Sequence, residues 1–194
     1  MARTGTDTYL ALLRGINVGG KNIIPMAKLV ASFTRLGHAN VRTLIASGNV
    51  VFQAPKADVR KLERTIEKRL TADFAYDATV VVKSHAELAA IIAGLPRGWQ
   101  RPSAAHRYYV IFLRHGIDRA ELVDELEPKA GVEILTYRPG VLFWQAKISG
   151  LSRSNVARLT QRKIYADVTV RNLNTTKKLA ALMAATAGAS RAST

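Results

Sequence analysis

The chain has 194 residues, 48% of them hydrophobic, which is ample for a packed core in one domain or two small subdomains and excludes a disordered tail. With no cysteine, disulfide frameworks, thiolate nucleophiles and cysteine metal sites are excluded, and a reducing cytoplasm is the expected location. The formal charge of +15, from 29 basic and 14 acidic side chains, favours anionic partners such as nucleic acid, nucleotides or phosphorylated metabolites.

The charge is uneven, with ten basic residues against one acidic in 138–194. The N-terminus lacks an export signal, and the longest other apolar stretch, Leu179 to Ala189, is far short of the ~20 residues a membrane helix needs, so no membrane association is expected.

In chain order, Tyr9 to Leu13 is a short apolar run ending at Gly15 and reads as a strand. Met26, Leu29, Val30 and Phe33 fall on one helical face, with Pro25 suited to the first turn and Gly37 as the stop. VRTLIASGNVVFQA reads as two strands turning at Ser47-Gly48-Asn49, and Val59, Leu62, Ile66 and Leu70 form the stripe of a second helix before the strand ATVVVKS. HAELAAIIAGL predicts a connecting helix and PRGWQRPS a loop. The second half repeats the order: strand RYYVIFLRHG, helix Asp118 to Leu126, a hairpin turning at Pro139-Gly140, helix Asn155 to Ile164, and strand ADVTVRN. A final helix follows, TTKKLAALMAATAG, with Thr175 or Thr176 as its cap.

The first strands of the two halves end alike, LLRG and FLRHG. The expected fold class is therefore α+β: two ferredoxin-like β-α-β-β-α-β subdomains with mostly antiparallel sheets. The boundaries are 1–84, a connecting helix and loop at 85–104, and 105–194 with the C-terminal helix.

In that topology the exit of the first strand and the turn between the second and third share one end of the sheet. Loop 15–22 and turn 47–49 should then be neighbours, offering Arg14, Asn17, Lys21, Asn22, Ser47 and Asn49 beside the N-terminus of the helix from Met26. The second half has only RHG at the matching exit, which points to the first as the carrier of function. Equally, the glycines permit positive φ and the asparagines cap turns.

GINVGGKN imitates a phosphate-binding P-loop, but Asn22 stands where the magnesium hydroxyl is needed, Pro25 delays the helix past Lys21, and no later strand ends in the required Asp. The same sheet order serves RNA-recognition domains, yet the central strands offer only Tyr9 and Phe52 for base stacking. His38, His85, His106 and His115 are too scattered for a metal motif, and GLSRS at 150–154 lacks the second glycine of a nucleophile elbow. Ser152 and Ser154 remain helix-cap candidates, and Trp99 and Trp144 are expected to pack.

LLRGINVGGKNIIPM (12–26), LIASGNVVF (44–52), TVRNLNTTKKL (169–179) and, more weakly, GLSRSNVARL (150–159) closely resemble the signatures of a bacterial family catalogued as domain of unknown function 1697. The resemblance covers nearly all of the chain and implies a cytoplasmic α+β protein of two ferredoxin-like subdomains with no established reaction. Leu173 stands where that family usually has an aromatic. The last signature adds Arg171, Asn172 and Asn174, a planar donor fork and two amides suited to phosphate and to donor-acceptor edges.

The leading expectation is a binding protein for a phosphate-bearing ligand, nucleic acid or nucleotide, using loop 15–22, turn 47–49 and segment 171–174. Its rivals are an enzyme acting on a small anionic metabolite and an interaction module without a ligand site. No metal site is expected, and no cofactor or catalytic residue is named by the sequence.

Overall fold

A computed structural model describes residues 5–20 and 22–192, the last four of these as backbone only. The chain divides into two compact units, residues 1–88 with 178–194, and residues 89–177. The C-terminal helix α5 (Leu173–Ala192), expected to complete the second subdomain, thus starts in the second unit and continues in the first.

In the first unit, strands β1 (Thr6–Leu13), β2 (Ala39–Thr43), β3 (Asn49–Pro55) and β4 (Val80–Ser84) form one antiparallel sheet in the order β2-β3-β1-β4. Helices α1 (Met26–Arg35) and α2 (Val59–Phe74) lie between them in sequence, which makes this a ferredoxin-like unit. Asp58 caps α2 by accepting from the N–H groups of Arg60 (2.7 Å) and Lys61 (3.2 Å).

Tyr9, Ala11 and Leu13 of β1 face a core completed by Val50, Phe52, Val80 and Val82 and by Leu29, Phe33, Leu62, Ile66 and Leu70 of the helices. Phe33 and Phe52 meet edge to face at 5.3 Å, and each fully buried phenyl contributes roughly 2 kcal/mol. The opposite face, with Leu10, Leu12, Val51 and Val81, is buried too. On that side Gln53 Nε2 donates to the Thr186 carbonyl at 3.0 Å, bringing α5 onto the sheet. Burial of both faces explains why β1 reads as a continuous apolar run instead of an alternating one.

The second unit repeats the sheet with β5 (His106–Leu113), β6 (Glu133–Arg138), β7 (Val141–Lys147) and β8 (Val168–Asn172) in the order β6-β7-β5-β8. Helix α3 (His85–Ala93) leads into it. Its crossovers depart from expectation. The helix expected at 118–126 shrinks to α4 (Leu122–Glu125), and the one expected at 155–164 is replaced by the 3-10 turns Ile148–Arg153, Val156–Gln161 and Lys163–Asp167.

Tertiary hydrogen bonds impose these turns. The buried Glu133 carboxylate accepts from the Ser154 hydroxyl, Trp144 Nε1 (2.9 Å) and the N–H groups of Lys129 (3.0 Å), Asn155 (2.9 Å) and Val156 (3.3 Å). Arg162, in extended backbone, then breaks any continuing helix. Burial alone would raise the Glu133 pKa, but bonds from Lys129, Ser154, Trp144 and Asn155 outweigh it and leave the carboxyl below its usual range.

The β2–β3 corner is the other tight point. Leu13 N–H donates to the Gly48 carbonyl at 2.7 Å, and Gly48 has φ +73°. A Cβ there would stand 2.8 Å from Leu13 Cβ and 3.0 Å from Ile16 Cγ1.

Two stability predictions follow from these contacts. Glu133→Gln turns an amide N–H2 toward groups that all donate, and should cost about 3 kcal/mol in urea unfolding. Because the folded pKa is lowered, the wild-type advantage over this variant is full above the unfolded glutamate value of about 4.3 and fades as pH falls through the folded value. Gly48→Ala combines left-handed strain with overpacking and should cost roughly 2 to 4 kcal/mol, whereas Gly19→Ala, with φ +58° and nothing within 4 Å of its added Cβ, should cost about 1.

Candidate functional site

Strand order places loop 15–22 beside turn 47–49, as the Leu13–Gly48 bond shows. Within the loop the asparagines work on the loop itself. Asn17, at φ 53°, accepts from Ile24 N–H at 2.7 Å and donates from Nδ2 to the Ile24 carbonyl at 3.1 Å. Asn22, at φ 48°, donates from Nδ2 to the Gly15 carbonyl at 3.0 Å. These two residues tolerate the left-handed conformation better than most and cross-brace the connection. Asn49 is buried, its Nδ2 donating to the Leu44 carbonyl (3.0 Å) and Ser47 Oγ (2.9 Å). Arg14 is half-buried, and its N–H donates to the Thr79 carbonyl at 3.1 Å. Lys21 lies outside the described residues.

Among the described residues this corner exposes three aliphatic side chains, Val18 (64%), Ile23 (74%) and Ile45 (59%), beside the exposed Asn22.

Arg171, Asn172 and Asn174 belong to the second unit. Asn172, and not Thr175 or Thr176, caps α5: its Oδ1 accepts from Thr175 N–H at 2.7 Å. Asn172 and Asn174 are exposed and, with Leu173, line an open cleft of about 530 Å³ whose other wall is Pro102 to Ala104 and His106 to Tyr109. That volume suits a small ligand of nucleotide size.

The two tyrosines are held from behind. Tyr109 stacks on Trp144 at 5.0 Å, and Trp99 meets Tyr108 edge to face at 5.1 Å while donating from Nε1 to Gln145 Oε1 at 3.2 Å. Tyr108 also accepts from Ser103 N–H at 3.0 Å. The Nδ1 of His106 is buried without a hydrogen-bond partner among the described residues.

Arg171 pairs with Val110 in the sheet and does not line the cleft. Its Nη1 donates to Thr169 Oγ1 (2.7 Å) and the Val170 carbonyl (2.9 Å). Desolvation lowers its pKa to about 10, so the guanidinium stays charged at neutral pH.

Sequence reading missed the wall at 102–109, because RYYVIF gives a strand by pattern and nothing in it says that paired tyrosines at the strand's start border a cavity. No group of three or more His, Asp or Glu able to hold a metal occurs among the described residues. None of the described helices is long and apolar enough to cross a membrane.

No curated protein matches the chain. Among solved structures, the conserved bacterial protein SP0830 from Streptococcus pneumoniae is similar at a TM-score of 0.80 and 26% identity, over 92% of this chain and 99% of that one. The family model described as Protein of unknown function (DUF1697) matches residues 6–143, from the start of β1 into β7, and the chain belongs to that family.

Proposed function

We propose that the protein binds a phosphate-bearing ligand, a nucleotide or nucleic acid, in the cleft of the second unit. The observation that carries this reading is the meeting of two immobilised tyrosines, two exposed asparagine side chains and Arg107 at the N-terminus of a 20-residue helix. Tyr108 and Tyr109 stand on opposite faces of β5, so one of the two rings can offer its surface to a base. The Asn172 Nδ2 and the Asn174 side chain, which make no hydrogen bond among the described residues, suit its polar edge. Arg107 and the positive end of α5 suit phosphate, and the formal charge of +15 assists its approach.

The first-unit corner keeps a narrower part in this reading. The side-chain amides of Asn17, Asn22 and Asn49 serve the loop, so an anion there would be held by Lys21, Arg14 and backbone N–H groups of the tip 18–20.

A second reading, favoured by the unpartnered His106 Nδ1, is an enzyme acting on a small anionic metabolite in the same cleft, with His106 as its base.

Fluorescence titration with nucleotides and short oligonucleotides at low salt separates these readings. Binding in the cleft predicts that Arg107→Ala and Asn174→Ala each weaken affinity about tenfold, and that affinity falls steeply as salt is raised. No measurable affinity, or affinity indifferent to both variants, sinks the cleft reading. A loss confined to Lys21→Ala moves the site to the first unit. Turnover of a phosphorylated metabolite that His106→Gln abolishes without changing affinity selects the enzyme.

A further inference from the structure

Helix α2 sorts its charges by face. Two of its acids turn toward the sheet, where Glu63 Oε1 accepts from Val82 N–H at 2.9 Å and Glu67 Oε1 from Val80 N–H at 3.0 Å, while Asp73 near its end accepts from the Ser32 hydroxyl and from Arg69. Its bases turn outward: Lys61, Arg64 and Lys68 follow one another at spacings of three and four along an exposed stripe that also carries Thr65 and Ala72. With Leu36 and Arg69 they line a groove of about 530 Å³ whose surface is mainly apolar between cationic rims. Arg69 is held by Asp73 at 2.8 Å, but Lys61, Arg64 and Lys68 form no ion pair among the described residues.

We infer that this groove docks an acidic amphipathic segment of a partner protein, carboxylates meeting Lys61, Arg64 and Lys68 and an aliphatic side chain seated on Leu36 and Ala72. Charge complementarity and the apolar floor carry the choice. Nucleic acid fits less well, because no aromatic ring and no side-chain amide lines the groove to take a base. A second copy of the chain fits less well too. In its own acidic stretch, Glu125 is bound by Arg119, Glu127 by Arg162 and Asp118 by Gly140 N–H, which leaves Glu121 and Asp124 as two carboxylates for three cations.

The test is fluorescence anisotropy of the full-length protein with three probes at low salt. They are a labelled helical peptide with glutamates along one face and leucines along the other, its glutamine counterpart, and a single-stranded DNA of equal charge. The inference expects the glutamate peptide to bind and the glutamine peptide not to. The triple variant Lys61→Glu/Arg64→Glu/Lys68→Glu should weaken binding at least about tenfold, and Leu36→Ser should weaken the peptide but not the DNA. Peptide binding unchanged in the triple variant overturns it. So does DNA that binds more tightly than the peptide through the same three side chains. If the triple variant unfolds by circular dichroism, Arg64→Glu alone is read by the same titration, with a several-fold loss expected and no change overturning the inference. Neither Arg107 nor Asn174 lines the groove, so its failure and that of the cleft are separately visible.

Discussion

Strand β4 is the last in its sheet, and its outward row of backbone N–H groups has no neighbouring strand. Glu63 and Glu67 of α2 supply the missing acceptors at Val82 and Val80. Charge-assisted bonds of this kind fix the rotation of α2 about its axis as well as its place. Once the two glutamates must face β4, Leu62, Ile66 and Leu70 are committed to the core and the basic positions to solvent. The protected edge, the packed core and the cationic outer groove are therefore consequences of one constraint.

The two units can be superposed by register. Leu13 and Leu113 donate to Gly48 and Gly140, and Arg14 and Arg114 to Thr79 and Asp167. Leu10 pairs with Lys83 as Val110 pairs with Arg171, and Ser84 and Asn172 each accept a backbone N–H three residues on, from Glu87 and Thr175. A basic residue before the cap of the fourth strand is thus a property of both units. Arg171 is better understood through that equivalence than as a ligand clamp. Two features break the equivalence: the braced loop where β1 ends, and the cleft where β5 begins and β8 ends. Those are opposite ends of the common sheet plan.

Much of this plan was legible in the chain. The apolar runs, the helical stripes of α1 and α2 and the paired endings LLRG and FLRHG led to two ferredoxin-like units because each signal is local and periodic. The 3-10 region was not legible, since Val156 and Leu159 keep a helical spacing while Glu133, more than twenty positions earlier, claims the N–H groups of Asn155 and Val156. The cleft was half legible: Asn172 and Asn174 stood in a signature, whereas Tyr108 and Tyr109 gained their meaning from Trp99 and Trp144 behind them.

The glycine-rich loop remains the feature that folding explains least. The second unit closes the same corner with a single 3-10 turn at 115–117 and with the Asp118 carboxylate, which accepts from Gly140 N–H at 2.8 Å. The first unit uses the twelve residues between β1 and α1, two asparagines in left-handed backbone and three side-chain braces, and leaves Val18 and Ile23 in water. Beside them Ile45, a β-branched residue, sits at φ 51°, a conformation that costs about 1 to 3 kcal/mol. Exposed apolar side chains add nothing to the core, and the strain at Ile45 lies in a turn whose equivalent in the second unit is closed by Gly140 instead.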